Sequence, residues 1–146
     1  MTDVDYIQPA SEWVRDQLAA IDAAGTTRAV HVQGRPVVVV TMRGARSGRL
    51  RRVPLMRVEH GGRYLAVGSK GGAPRDPVWV RNLLAHPDVA VMDGDRTITG
   101  LRARLLDGAE REEWWARAVA AFPSYRDYQA RTARTIPLFV LEPAPH

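Results

Sequence analysis

Three tight glycine turns constrain this chain more than any other feature of its sequence. Gly34-Arg35 joins apolar runs at 28–33 and 36–42, Gly61-Gly62 joins runs at 53–59 and 63–68, and Asp93-Gly94-Asp95 joins runs at 89–92 and 96–106. Short runs turned back on themselves are the pattern of β-hairpins, not of parallel strands linked by helices. Val37-Val38-Val39-Val40 is β-branched throughout, so its strand is expected to be buried on both faces. A further run at 136–141 completes six or seven strands.

Helices fit between and around the hairpins. Ser11 caps a helix over 12–24 that carries Val14, Leu18 and Ile21 as an apolar stripe and stops at Gly25. Asp76 is the expected N-cap of a second helix, with Pro77 at its first position. A third spans 109–121 and ends before Pro123, and 125–134 reads as partly helical. Residues 1–10 read as a loosely held arm. With 146 residues, no fixed-period repeat and no linker, the expectation is one domain over 1–146. Its class is α+β: an antiparallel barrel with helices packed outside it.

Composition removes several kinds of chemistry. The chain has no cysteine, which excludes disulfides, thiol catalysis and thiolate metal sites, and suits a reducing cytoplasm. His31, His60, His86 and His146 show no ligand spacing, so no metal is expected. Ser47, Ser69 and Ser124 lack the G-x-S-x-G elbow of serine hydrolases. No apolar run approaches the roughly 20 residues of a membrane span, and the acidic start Met1-Thr2-Asp3-Val4-Asp5 is unlike a signal peptide. A net charge of +5 calls for an anionic partner, but no recognition helix or RNP-like pattern points to nucleic acid.

Three segments remain as candidates. Ser69-Lys70-Gly71-Gly72-Ala73-Pro74-Arg75-Asp76-Pro77-Val78-Trp79 places a glycine loop between a strand and a helix N-terminus. Such a loop aims backbone N–H groups at an anion, although glycines serve a plain turn equally well. Lys70 is the single lysine beside twenty arginines. The second segment, 43–57, holds Arg43, Arg46, Arg49, Arg51, Arg52 and Arg57 without one acid. It could grip phosphate or carboxylate oxygens bidentately, with Arg51 and Arg57 on one face of a strand, or be a solvated hairpin. In the third, Tyr125 and Tyr128 are three apart and would share a helical face, offering hydroxyls to a pocket or packing at a domain edge.

Together these pieces resemble the deazaflavin-dependent nitroreductase and quinone reductase family of actinobacteria, split β-barrel oxidoreductases that use 8-hydroxy-5-deazaflavin (coenzyme F-420). The resemblance rests on Gly44-x-Arg46-Ser47-Gly48-x-x-Arg51 with Val53-Pro54-Leu55, Gly68-Ser69-Lys70-Gly71-Gly72-Ala73, Asp76-Pro77-x-Trp79 with Asn82-Leu83, and His86-Pro87-Asp88-Val89. It continues through Phe122-Pro123-Ser124-Tyr125-x-Asp127-Tyr128-Gln129 and Arg134-Thr135-Ile136-Pro137, and the helix beginning Glu12-Trp13-Val14 also matches.

The resemblance implies a groove that holds the coenzyme. Arg46, Ser47, Gly48, Arg49 and Arg51 would hold its phosphate and glutamate tail, with Pro54 and Met56 following on the strand. Gly68, Ser69, Lys70, Gly71, Gly72 and Ala73 would lie against the deazaflavin, supported by Trp79 and Asn82. Tyr125 and Tyr128 are the implied catalytic residues, as donors to an oxygen of a quinone-like or nitroaromatic acceptor that receives a hydride. Met56 and Phe122 stand where family members can carry tyrosine, and neither donates a hydrogen bond. The other readings are a non-catalytic deazaflavin carrier and an FMN-dependent split-barrel oxidoreductase. Monomer or dimer is left open, as is a weak peripheral contact with the inner face of the cell membrane.

Overall fold

The computed structural model describes residues 6–145. Among them eight strands form one antiparallel sheet: β1 (His31–Val32), β2 (Arg35–Arg43), β3 (Leu50–Met56), β4 (Glu59–His60), β5 (Arg63–Val67), β6 (Asp88–Asp93), β7 (Arg96–Leu105) and β8 (Leu138–Pro143). Four helices accompany it: α1 (Glu12–Ala24), α2 (Val78–Ala85), α3 (Gly108–Ala121) and α4 (Ser124–Ala130). Across the sheet the order runs β3-β2-β6-β7-β8-β5-β4, with β1 paired to the start of β2. The sheet curls, yet among the described residues no ladder joins β3 to β5, so the barrel is split there.

The expected turns form with two shifts: the first falls at Gln33-Gly34 rather than Gly34-Arg35, and Gly61-Gly62 joins only the stub β4 to β5, because β3 pairs with β2. Gln33 and Gly34 between β1 and β2 both sit in the left-handed region, at φ 52° and 74°, as a two-residue hairpin turn of this hand requires. Val37 to Val40 are buried on both faces of β2. Val38 and Val40 join Met42, Trp79, Leu83 and Phe139 inside the curl, while Val37 and Val39 receive Leu18 and Ile21 of α1. A third cluster sets α3 and α4 against the outer face of β5 and β8, through Trp114, Phe122, Tyr125, Leu65 and Val140. Helix α1 has the expected bounds: Ser11 Oγ accepts from Val14 N–H, and Gly25 ends it at φ 73°.

Other expectations are corrected. The count is eight strands because β1 and β4 are stubs of two residues, and the run 28–33 begins as a 3-10 turn, Thr27–Ala29, before reaching β1. Asp76 does not cap α2: its carboxylate takes the Arg134 guanidinium at 2.7 Å, and Pro77 occupies the N-cap position one residue later. The part of the arm that is described is fastened. Ile7 N–H donates to the Leu50 carbonyl at 2.9 Å, and Arg15 donates to the carbonyls of Pro9 and Ala10; residues 1–5 lie outside the described residues.

Arg57 does not share a site with Arg51. It lies past the end of β3 and donates from Nε to both oxygens of Asp93, at 2.9 and 3.0 Å, while the Tyr64 hydroxyl donates to Asp93 at 2.6 Å. Burial pushes the Asp93 carboxyl up, but the hydrogen bonds from Arg57 and Tyr64 outweigh it and hold the carboxyl below its ordinary value. Burial and the bond to Asp93 push Tyr64 up to about 12. A carboxyl depressed in the fold stabilises it fully above the unfolded value, and that contribution is lost as pH falls through the lower folded one. Between about pH 6 and pH 3 the wild type should therefore lose more of its thermal midpoint than Asp93→Asn does. Parallel curves for the two proteins would remove the pair as an acid-sensitive element.

Candidate active site

The split between β3 and β5 opens into a groove of about 360 Å³, within the size range of small-molecule sites. One wall is Val53, Pro54, Leu55 and Met56 on the free edge of β3, where a proline removes no ladder bond. Facing it are Ser69, Lys70 and Gly71 after β5, with Trp79 of α2. Phe122, Tyr125 and Tyr128 form an aromatic end, and Trp13, Val14 and Gln17 of α1 complete the lining. A second hollow of about 240 Å³ shares Val53 and Trp79 with the groove and adds Arg51, Arg52 and Asn82. The combined site is thus cationic at one end and apolar with hydroxyls at the other.

The loop after β5 is held in an unusual conformation. Lys70, Gly71 and Gly72 have φ of 45°, 64° and 82°, three left-handed residues in a row. Glycine adopts this freely, but a lysine there stores about 1–2 kcal/mol of strain. Arg134 supplies the restraint. Its guanidinium donates to the carbonyls of Gly68 (3.0 Å), Ser69 (2.7 Å) and Ala73 (2.8 Å) and to Asp76 (2.7 Å), bracketing the strained residues on both sides. From inside, Gly72 rests on α4: a Cβ there would lie 2.7 Å from the Tyr128 carbonyl oxygen. Sequence reasoning gave Arg134 no role, although it stands in one of the segments that carry the family resemblance.

Most of the arginine cluster is spent on the fold. Arg52 grips Asp22 of α1 with two bonds, at 2.7 and 3.0 Å, and stacks 4.3 Å over Tyr6. Arg43 donates to the Gly48 carbonyl, and Ser47 Oγ accepts from Arg49 N–H, so both close the turn between β2 and β3. Arg46 and Arg51 have no ion pair among the described residues. Arg51 Nε is buried with no hydrogen-bond partner, tucked against Gly44, where a Cβ would lie 2.7 Å from it. Arg52 Nε is also unpaired, but its terminal nitrogens already hold a carboxylate. Arg51 thus brings one buried, unpaired guanidinium nitrogen to the lining of the hollow. Asn82 props the same turn from α2, its Oδ1 accepting from Ala45 N–H at 2.9 Å.

At the other end, the Tyr125 and Tyr128 rings meet edge to face at 6.2 Å, with Phe122 5.0 Å from Tyr125. Burial pushes the Tyr125 phenol up, so it keeps its proton and remains a donor at neutral pH. Met56 and Phe122, the two positions without a hydroxyl, both line this groove.

Of the residues expected at the site, Pro54, Met56, Ser69, Lys70, Gly71, Trp79, Tyr125 and Tyr128 share the groove, and Arg51 and Asn82 the adjoining hollow. Arg46, Ser47, Gly48 and Arg49 form the turn beyond the hollow. Gly68, Gly72 and Ala73 line neither cavity; they support the loop from behind. Gln17 and Trp13 line the groove without having been expected there.

A family model described as F420H(2)-dependent quinone reductase matches residues 13–143. The chain belongs to this family. The F420H(2)-dependent quinone reductase Rv1261c of Mycobacterium tuberculosis is 34% identical over 108 residues, 73% of this chain and 72% of that protein. A solved structure described as an F420-H2 dependent reductase is 52% identical with a TM-score of 0.71, covering 77% of this chain and 99% of its own. Another, described as a domain-swapped dimer, is 51% identical with a TM-score of 0.73 and covers 90% of this chain and 98% of its own. As a quinone reductase of this family, the protein is a hydride-transfer oxidoreductase that depends on the deazaflavin coenzyme. The residues present suit that coenzyme: an incomplete buried guanidinium for an anionic tail, a glycine that lets backbone approach a flat ring, and an apolar slot beside Trp79.

Proposed function

We propose that the hollow and groove hold the coenzyme end to end, with its anionic tail at Arg51 and its ring between Gly71 and Trp79. A quinone-like acceptor then lies at the aromatic end. The observation that carries this reading is the unpartnered Arg51 Nε beside a hollow that shares Val53 and Trp79 with the apolar groove. Bound in its reduced form, the coenzyme supplies a hydride. The chain supplies the rest. Arg51, Arg46 and Lys70 offset the charge of the tail, the apolar walls exclude water, and Tyr125 and Tyr128 present hydroxyls to an acceptor oxygen as negative charge develops on it. Nitroaromatic acceptors belong to the same reading, but Met56 and Phe122 give a nitro group no added donor, so quinones should be the faster substrates.

Stopped-flow mixing of the protein, loaded with reduced coenzyme, against menadione tests the proposal. Rapid coenzyme oxidation is expected. Tight coenzyme binding with no oxidation by any quinone would make the protein a carrier, and FMN binding without deazaflavin binding would make it a flavin oxidoreductase. Arg51→Met and Lys70→Ala should each weaken coenzyme affinity by roughly 10- to 100-fold, the worth of a charge-assisted hydrogen bond. The loss at Arg51 should be the larger, because Lys70 is exposed and screened. Unchanged dissociation constants in both variants would move the tail elsewhere.

A further inference from the structure

Helix α1 brings one polar side chain into the groove for which the reading above has no use. Gln17 is 9% exposed and lines the groove, on a helix whose neighbouring Val14, Leu18 and Ile21 pack in the cluster around Val37 and Val39. Its carboxamide makes no hydrogen bond to any described residue. The residue is packed, but its amide is open to the groove; among the described residues the fully buried unpaired side-chain atoms are Arg51 Nε and Arg52 Nε. A carboxamide with no protein partner, facing a mainly apolar groove, is available to a ligand.

Its place along the groove says which ligand. Helix α1 runs against the direction of β3: Asp22 near its C-terminus holds Arg52, whereas Val14 near its N-terminus packs in the same cluster as Met56. Arg51 and Met56 are five residues apart on an extended strand, roughly 17 Å. Gln17 therefore serves the Met56 end, away from the cationic hollow and in the groove that Tyr125 and Tyr128 line.

We infer that Gln17 recognises the acceptor, its amide nitrogen donating a hydrogen bond to a quinone carbonyl oxygen. The inference rests on the quinone reductase reading given above. A para-quinone carries two oxygens on opposite sides of its ring, so the tyrosine hydroxyls engage one and the carboxamide the other. The pairing also suits the product. When the quinone gains a hydride from the coenzyme and a proton from solvent, its oxygens become hydroxyls. A carboxamide can then turn over and accept where it had donated.

The test compares menadione with 2-methylnaphthalene, the same bicyclic skeleton without carbonyl oxygens. Binding of each to protein loaded with oxidised coenzyme is read by quenching of tryptophan fluorescence, since Trp13 and Trp79 line the groove. Gln17→Leu should bind menadione about tenfold more weakly, the worth of one hydrogen bond, and 2-methylnaphthalene as before. Coenzyme affinity should be unchanged, the thermal midpoint equal or higher, and the KM for menadione raised more than kcat is lowered. Gln17→Met repeats the measurement should the leucine variant fold poorly. Equal loss for both probes, or no loss for menadione, would overturn the inference, and a loss confined to the coenzyme would reassign Gln17 to it. A wild type that binds the coenzyme but neither binds nor reduces menadione would instead overturn the quinone reading, and this inference with it.

Discussion

Arg134→Met should lower the thermal midpoint by about 10 °C and weaken coenzyme binding by about tenfold. Arg134 itself does not line the groove, but it holds a residue that does, Ser69. It holds the carbonyls of Gly68, Ser69 and Ala73 and the carboxylate of Asp76 in one fork, at 2.7 to 3.0 Å. Removing it strands three carbonyls in a partly buried position and frees the left-handed turn at Lys70 to relax. Breaking such a set costs about 3–5 kcal/mol, and each kcal/mol is worth about 2–4 °C in a domain of this size. The strain released at Lys70 must then be restored whenever the coenzyme binds, which is the source of the lost affinity. Lysine in place of Arg134 should recover little, since one ammonium cannot span three carbonyls and a carboxylate. A melting curve and a coenzyme titration decide it. Normal affinity in a destabilised Arg134→Met protein would mean that the turn keeps its shape without the clamp.

Gly72→Ala is the second large effect, and it should appear in turnover more than in binding. The new Cβ would stand 2.7 Å from the Tyr128 carbonyl oxygen and 3.1 Å from both Tyr128 Cα and Arg131 Cβ, at a φ of 82°. Two of those three atoms are backbone, so α4 itself must shift. The expected loss of stability is about 2–4 kcal/mol. A displacement of about 1 Å at a group aligned with the reacting atoms can lower the rate by about a hundredfold. Gly71→Ala provides the control, because its φ is 64° but nothing lies within 4 Å of a Cβ there. Without coenzyme that variant bears only the cost of the left-handed backbone, about 1–2 kcal/mol; because Gly71 lines the groove, turnover of the two variants is compared at saturating coenzyme. If menadione reduction slows equally in the two variants, the contact with Tyr128 is not what sets the rate.

How much of this was legible in the sequence follows from the range of each interaction. Turn chemistry is local, so the chain reversals at Gly34, one residue later than the Gln33-Gly34 turn that forms, and at Gly61-Gly62, and both ends of α1, could be read from neighbouring residues. The doubly buried strand followed from four consecutive valines. The arginine cluster misled because its partners are remote: Asp22 lies thirty residues from Arg52, and Asp93 thirty-six from Arg57. A segment without acids looked free, while two of its cations were already committed across the fold. Asp76 failed as a cap for the same reason, since Arg134 claims it from fifty-eight residues away. Gln17 was hidden in plain amphipathic pattern, where one buried polar residue on a helix carries no signal until its surroundings are known.

Strand β3 has a consequence for how such a site can diverge. Its register against β2 sets Arg51, Val53 and Leu55 on the face shared with Met42, Val40 and Val38, and sends Arg52 toward α1. Because side chains alternate along a strand, a slip of one residue would exchange the two sets wholesale. Arg52, whose guanidinium holds Asp22, would exchange faces with Arg51, and Pro54 and Met56 with Val53 and Leu55. What keeps the frame is the turn from Gly44 to Arg49, closed at both ends by backbone bonds and braced by Asn82. The number of residues in that turn therefore fixes which side chains of β3 share a face with β2's core residues. Substitutions there can drift, whereas an insertion or deletion rewrites the whole wall at once.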